Sequence, residues 1–248
     1  ADPTHPDRDC AELIFFPTGG GKTEAYLGVI AFTLALRRLR ARNEAHAGLG
    51  VAVILRYTLR LLTLDQLGRA ATLVCALESL RRKAPARLGN DRFSVGLWVG
   101  SSATSNTMAQ VQKEVTQFQT GSRSNPSPLT DCPWCGTELT PGSLSLLTDG
   151  KPTARGAEEV RVACPNDECE FCAANHSEGI PVLFVDEHVY RELPSFLIGT
   201  VDKFAMVPWR GETGKLFGKV TGRSGRRFLN RTDGDKLPKG ATPLPNGL

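Results

Sequence analysis

Short apolar runs alternate along the chain with longer stretches in which apolar residues recur every three or four positions. The first pattern is typical of buried parallel strands, and the second of helices that pack on a sheet. The predicted strands are 13–16, 50–55, 93–99, 180–185 and 196–198, and the predicted helices are 23–42, 63–83 and 108–118. Strands that alternate with helices predict an α/β fold with a parallel sheet and right-handed crossovers.

The pattern is interrupted in the middle of the chain. Residues 121–179 are rich in Gly, Pro, Ser, Thr and Cys and show no long helical period, so we predict an insertion there. A chain of 248 residues is long enough for one α/β domain with an insertion. We therefore expect the α/β domain to comprise residues 1–120 and 180–210, followed by a separate basic, Pro/Gly-rich segment at 211–248.

A glycine-rich segment, Pro-Thr-Gly-Gly-Gly-Lys-Thr-Glu at 17–24, joins the first predicted strand to the first helix. Its glycines let backbone N–H groups face phosphate oxygens, Lys22 adds a positive charge, and the Thr23 hydroxyl is a ligand for Mg²⁺. Phe16 stands where the strict phosphate-loop pattern has Gly, so the match is to the looser form that helicases use. We predict catalytic roles for Lys22 and Thr23. The predicted ATP-binding residues are Thr18, Gly19, Gly20, Gly21, Lys22, Thr23 and Glu24.

The formal net charge is +4, but its distribution is uneven. From Lys203 to the end, ten Lys and Arg residues face three acidic ones. Such a stretch suits nucleic-acid phosphates and equally suits a solvated loop. No apolar run approaches the length of a membrane span, and no signal peptide is visible. The chain begins without Met and ends in a Pro/Gly-rich stretch, so we expect an excerpt of a longer protein that stops short of a helicase DExH box.

Five of the seven cysteines lie between positions 132 and 172. Cys132-Pro-Trp-Cys135 is a tight knuckle whose two thiolates can face one ion, and a second cysteine pair follows 28 residues later. This spacing in a phosphate-loop protein favours a structural Zn²⁺ site over disulfides. The predicted ligands are Cys132, Cys135, Cys164 and Cys169, with Cys172 or His176 as the alternative fourth ligand.

Two further segments place hydroxyls, an amide and cations at junctions between strands and helices. The first runs from Arg56 to Arg69 and the second from Phe196 to Ala205. Such groups can bind a phosphate backbone, and helicases of superfamily 2 carry similar segments at these points. An ordinary helix start capped by Thr63 is the alternative for the first segment. The predicted nucleic-acid-binding residues are Arg56, Thr58, Thr63, Gln66, Arg69, Thr200 and Lys203.

Taken together, five segments resemble the helicase subunit of the bacterial DISARM anti-phage system, over about residues 11–220. The segments are 17–28, 56–63, 96–100, 132–136 and 199–205. The resemblance implies a RecA-like P-loop lobe with a zinc-ribbon-like insertion, in an ATP-dependent DNA helicase or translocase. It also implies a second lobe of the same protein, another DISARM subunit as partner, DNA as a single strand or duplex end, and a bacterial cytoplasmic location.

Asp186-Glu187-His188 follows a predicted strand and looks like the DExH box that holds Mg²⁺ in such motors. In superfamily 2 that box comes after the loop that corresponds to Thr200, whereas Asp186 precedes it. We therefore favour a structural role for Asp186 and Glu187. The alternative to a motor is a module that binds ATP and nucleic acid without hydrolysis; a small-molecule kinase would need neither the zinc insertion nor the strand-end segments.

Overall fold

The computed structural model describes residues 20–41, 48–57, 60–100, 103–234, 236–245 and 248, and positions 4, 6, 7, 9–11, 13 and 15 near the start of the chain. For residues 60–65 it describes the backbone only. The helices are α1 (Lys22–Ala41), α2 (Arg60–Lys83), α3 (Pro85–Leu88), α4 (Met108–Gln119), α5 (Asp186–Glu192) and α6 (Val201–Ala205). The strands are β1 (Val53–Tyr57), β2 (Val95–Trp98), β3 (Leu144–Thr148), β4 (Lys151–Pro152), β5 (Glu159–Val162), β6 (Val182–Leu183), β7 (Phe196–Thr200), β8 (Gly222–Ser224), β9 (Arg227–Leu229) and β10 (Thr242–Pro243).

The central element is a four-stranded parallel sheet in the order β1-β7-β2-β6. The predicted parallel α/β architecture is therefore confirmed, and its strands and helices lie within a few residues of the predicted ones. One predicted strand is different. Leu13 and Phe15, the two described positions of 13–16, are exposed and belong to no strand. Ile14 and Phe16 lie outside the described residues.

The two faces of this sheet bury different hydrophobic clusters, because successive side chains of a strand point to opposite faces. On β7, Phe196 and Ile198 belong to the cluster that includes α1, α2 and α4, whereas Leu197 belongs to the other. Trp98 at the end of β2 also faces the second cluster. Its indole N–H donates to the Tyr190 hydroxyl at 2.8 Å. All five strand positions of β7 are buried, as expected for a strand inside a sheet.

The insertion shares the first hydrophobic cluster with the α/β core. Its antiparallel sheet, in the order β4-β3-β5, contributes Leu144, Val160 and Val162 to this cluster. Phe171 and Ile180 are also fully buried in it. Residues 121–179 are an insertion in the order of the chain, but they pack as part of one core, because the apolar faces of α2 and α4 require a cover.

The segment 211–248 covers the second face of the sheet. It forms an antiparallel sheet in the order β10-β8-β9 and buries Leu216, Val220 and Phe228 with Val189 of α5. The segment is rich in Pro, Gly and basic residues, and its apolar positions are spaced too irregularly to give a helix or strand period. The sequence therefore did not predict that they would be buried. The segment is therefore an integral layer of the domain.

A fully buried carboxylate, Glu78, joins α2 to two other parts of the fold. It accepts hydrogen bonds from Arg81 Nε at 2.8 Å, from Arg81 Nη2 at 2.6 Å and from the Phe93 backbone N–H at 3.0 Å. His176 Nε2 of the insertion lies 3.5 Å from its Oε1. Burial opposes the charged form, but the hydrogen bonds from Arg81 and the Phe93 N–H, together with the nearby His176 ring nitrogen, outweigh it and lower the pKa of Glu78 to about 2.

The substitution Glu78→Gln should lower the free energy of unfolding by about 3–5 kcal/mol, because it leaves the buried Arg81 guanidinium without its counter-charge. Since the folded-state pKa lies below the ordinary value of 4.5, the stabilisation by Glu78 is present above about pH 4.5 and is lost as the pH falls towards 2. The stability gap between variant and wild type should therefore narrow across this window in urea titrations. Exposed Glu212 supplies the control, Glu212→Gln, and an equal loss in both variants would contradict the assignment.

Candidate nucleotide site and cysteine cluster

The Gly-Lys-Thr part of the predicted phosphate loop opens helix α1. Gly21 has φ of 76°, a conformation that favours glycine, and Lys22 is the first helical residue, with its side chain exposed. The backbone N–H groups in the first turn of this helix of 20 residues have no carbonyl partner within the helix, an arrangement that suits an anion. Thr18 and Gly19 lie outside the described residues. The described part of the loop thus places a glycine with positive φ and an exposed lysine at the start of α1.

Contacts of Tyr26 place this helix start at the carboxyl end of β1. The Tyr26 hydroxyl lies 3.2 Å from Thr23 Oγ1 and 2.7 Å from the hydroxyl of Tyr57, the last residue of β1. It also donates to Gln66 Oε1 of α2 at 2.8 Å. Ligands of open parallel sheets bind outside the carboxyl ends of the strands, so Lys22 and Thr23 lie where a nucleotide would be expected.

A second contact joins the same two helices. Arg69 of α2 donates to Glu24 in the first turn of α1, and both side chains are largely exposed. The pKa of Glu24 is lowered by a hydrogen bond from its own backbone N–H and then by Arg69. Two residues predicted to bind nucleic acid, Gln66 and Arg69, thus contact the helix that carries the predicted nucleotide loop.

The other predicted nucleic-acid residues are differently placed. Arg56 is exposed on β1, whereas Thr200 is buried at the end of β7 and its Oγ1 makes no hydrogen bond within the described part of the chain. Lys203 is only 12 % exposed and forms an ion pair with Asp186 and a hydrogen bond of 3.2 Å to Asn106 Oδ1. Thr58, and the side chain of Thr63, lie outside what the structure describes. In this conformation Arg56 is more accessible to a phosphate than Thr200 or Lys203.

The side chains that resemble a DExH box all have structural partners. Asp186 is buried and binds Lys203, while Glu187 accepts a hydrogen bond of 2.7 Å from the Met108 N–H and so caps α4. Burial raises the pKa of Asp186, although Lys203 opposes the shift. Strand β6, which leads to these residues, is separated from β1 by three interstrand spacings of about 4.8 Å, or roughly 14 Å.

Half of the cations in the basic stretch that begins at Lys203 form ion pairs inside the fold. Acidic partners bind at least five of its ten cations, namely Lys203, Lys215, Arg223, Arg226 and Arg227. Arg226 alone contacts three glutamates, Glu159, Glu178 and Glu192. These five residues form ion pairs within the fold, most of them with partners that are distant in the chain.

Four cysteines of the insertion converge on one point. The sulfur atoms of Cys132, Cys135, Cys164 and Cys169 all lie within 4.8 Å of one another, with 3.9 Å between Cys132 and Cys169 and 3.5 Å between Cys135 and Cys164. A tetrahedral zinc site with Zn–S distances of about 2.3 Å needs sulfur atoms about 3.8 Å apart. The cluster therefore has the donor atoms and the spacing of a four-thiolate zinc site.

The two alternative fourth ligands point elsewhere. Cys172 Sγ lies 3.5 Å from the Asp167 carbonyl oxygen and 3.4 Å from the Asn175 backbone nitrogen. His176 stacks on Phe171 with ring centroids 5.2 Å apart and directs Nε2 towards Glu78. The structure thus groups the four cysteines that the knuckle spacing favours and leaves out both alternatives.

The electrostatic environment of the four cysteines also favours the binding of a cation. Burial, followed by the neighbouring thiols, raises the pKa of Cys164 to about 11, and burial likewise raises the pKa of Cys169. Four thiolates packed this closely repel one another, so only a bound cation would stabilise them together. Three of the four cysteines, Cys132, Cys164 and Cys169, are part of the first hydrophobic cluster, so this side of the site is shielded from water.

Two groupings of side chains were not predicted from the sequence. One is the contact of Tyr26 with Tyr57 and Gln66, and the other is a second set of potential metal ligands, Glu159, His188 and Glu192. The Arg226 guanidinium already forms ion pairs with both glutamates of that set, so the set is part of an internal ion-pair cluster. Residues so far apart in the chain share no local pattern that could reveal them. Among the described helices, none combines the length and apolar character that a membrane span requires.

Comparison with known proteins gives one informative relative. No model of a known protein family matches the chain. The DISARM protein DrmA of Bacillus paralicheniformis is 40% identical over 251 aligned residues, which cover 94% of this chain and 21% of that protein. The chain thus spans about a fifth of the length of this relative. Over nearly all of its own length, it is related in sequence to a DISARM protein.

Proposed function

We propose that the chain forms part of the first motor lobe of an ATP-dependent DNA helicase or translocase in bacterial anti-phage defence. The observation that carries the proposal is the placement of Gly21, Lys22 and Thr23 at the start of α1, beside the carboxyl end of β1. A nucleotide triphosphate matches this arrangement of helix N-terminus, lysine and hydroxyl. The relation to a DISARM protein supports the defence role.

In this proposal the residues have separate tasks. The N–H groups of the loop and the Lys22 ammonium bind the phosphates, and Thr23 supplies a hydroxyl ligand for Mg²⁺, which neutralises phosphate charge when bound. The DNA backbone binds along the β1–α2 junction, with Arg56 as its exposed cation. The hydrolytic carboxylates are residues other than Asp186 and Glu187. The second lobe is formed by another part of the protein. The partners are DNA and another DISARM subunit, in the cytoplasm.

The cysteine cluster is proposed to hold one structural Zn²⁺. Four thiolate ligands leave no open position for water, so the ion supports packing and performs no step of the reaction. The cluster touches α2 directly, since Thr72 donates to the Pro133 carbonyl at 3.0 Å. The ion would thus fix the insertion against the helix that also contacts the nucleotide loop.

Replacement of Lys22 by Ala should abolish ATP turnover of the intact protein and weaken nucleotide binding, since the ammonium acts on phosphate charge. The side chain is exposed, so we expect an unchanged unfolding midpoint. Fluorescent nucleotide titration and steady-state ATPase measurements with single-stranded DNA test this. Lys113→Ala, at a solvent-facing lysine of α4, is the matched control, and ATPase at the wild-type rate in Lys22→Ala would contradict the proposal.

Residues 1–248 alone should bind nucleotide weakly and hydrolyse it negligibly, with or without DNA. In our proposal they lack the hydrolytic carboxylates and a second lobe, and an arginine finger alone contributes about 10³–10⁵ in rate. ATPase measurements on this segment test the assignment of Glu187. Strong DNA-stimulated turnover that disappears in Glu187→Gln would show that Asp186 and Glu187 form the catalytic box after all.

Zinc content separates the ligand cysteines from their neighbour. We expect one Zn²⁺ per chain in the wild type and in Cys172→Ser, and a large loss of metal and of thermal stability in Cys164→Ser. Both cysteines are buried in the same insertion, which makes the pair of variants well matched. Elemental analysis together with thermal unfolding measures both effects. Wild-type protein without metal, or equal loss in the two variants, would contradict the four-cysteine site.

A further inference from the structure

The Tyr26 hydroxyl is a junction between the nucleotide loop, the sheet and α2. Within 3.2 Å it meets Thr23 Oγ1, the Tyr57 hydroxyl and Gln66 Oε1. These three partners belong to the start of α1, the end of β1 and α2, respectively. The hydroxyl is half-buried, so its hydrogen bonds are shielded in part from water.

Proton counting limits how this junction can be arranged. A phenol has one proton to donate, while its oxygen can accept two hydrogen bonds. Gln66 Oε1 is an acceptor only, and the contact with Thr23 Oγ1 also has Tyr26 as its donor, so these two oxygens compete for one proton. The Tyr57 hydroxyl can donate to the Tyr26 oxygen. If Tyr26 donates to Thr23, the contact with Gln66 loses its proton. The hydrogen-bonding state of Thr23 therefore decides whether the bond from Tyr26 to Gln66 can form.

Magnesium binding at Thr23 would select one of these arrangements. A hydroxyl oxygen that coordinates a cation is a poorer hydrogen-bond acceptor, so Thr23 Oγ1 would no longer hold the proton that Tyr26 donates to it across 3.2 Å. That choice leaves the Tyr26 proton for Gln66. Because Gln66 and Arg69 lie on one helix, and Arg69 binds Glu24 beside the loop, α2 is tied to the loop at two neighbouring points.

We propose that Tyr26 is a positioning residue that couples Mg²⁺–nucleotide binding at Thr23 to the placement of α2 and, through the β1–α2 junction, to DNA binding. The inference rests on the proposed function and adds a residue-level route between its two binding sites. Arg56, the exposed cation of the junction, is the immediate neighbour of Tyr57. The exposed ion pair of Glu24 and Arg69 plays a minor part, because water and salt screen it.

The test removes one oxygen atom. In the intact protein, the affinity for Mg²⁺ with a slowly hydrolysed ATP analogue is measured with and without a single-stranded oligothymidylate. The ratio of the two affinities is the coupling factor, which by thermodynamic linkage is the same whichever ligand binds first. Tyr26→Phe should reduce this factor by about fivefold, the effect of losing one typical hydrogen bond. Nucleotide-induced protection of α2 amides from hydrogen exchange should fall in parallel.

A second tyrosine supplies the matched control. Tyr190 also forms a hydrogen bond through its hydroxyl, which accepts from the Trp98 indole N–H at 2.8 Å, but it lies in the other hydrophobic cluster. Tyr190→Phe should lower stability and keep the wild-type coupling factor. Gln66→Met should reproduce the Tyr26→Phe effect, and the double variant should add little to either, because both remove the same link.

The outcomes separate this inference from the proposed function. Wild-type coupling in Tyr26→Phe, equal losses in Tyr26→Phe and Tyr190→Phe, or additive losses in Tyr26→Phe and Gln66→Met would overturn the role of Tyr26 and leave nucleotide-driven DNA binding in place. Wild-type protein that binds nucleotide and DNA without any coupling would also overturn it. Failure of the wild type to bind nucleotide would contradict the proposed function, and the inference with it.

Discussion

The buried Glu78 carboxylate is the constraint on which much of this structure depends. A charge without water must be fully hydrogen-bonded, and Glu78 finds its partners on three different parts of the chain. Arg81 belongs to its own helix, the Phe93 N–H leads into β2, and His176 lies in the insertion. Satisfying one carboxylate therefore sets the position of α2 relative to the sheet and of the insertion relative to α2.

Helix α2 thereby becomes the element that both candidate sites share. Near its start, Gln66 and Arg69 contact the helix that carries the predicted nucleotide loop. Further along, Thr72 and Ser79 bind the insertion, at the Pro133 carbonyl and the Glu170 carboxylate. A shift of this one helix would therefore alter its contacts both with α1 and with the insertion. These contacts make the cysteine-rich insertion part of the α/β domain, whereas a tethered accessory domain would have its own core.

For charged side chains, the role suggested by the local sequence differs most from the contacts made in the tertiary structure. Asp186 and Glu187 follow a strand as hydrolytic carboxylates do, yet one forms an ion pair with Lys203 and the other caps α4. Arg226 lies in a basic stretch, yet it is surrounded by three glutamates. Burial explains both cases, since a charge that loses its hydration must find partners, and the fold supplies them from distant positions.

The sequence by itself determined the elements and the short motifs. Apolar periodicity is a local property, so it predicted the parallel α/β architecture and most element positions, and the knuckle spacing of Cys132 and Cys135 predicted which cysteines would converge. It could not predict the strand order β1-β7-β2-β6, the cover of the second sheet face by residues 211–248, or the junction at Tyr26. Each of these depends on contacts between residues tens of positions apart, such as the 40 that separate Tyr26 from Gln66. Only the packing of the whole chain selects such pairs, because their energies arise from burial and hydrogen bonding that no isolated segment can provide.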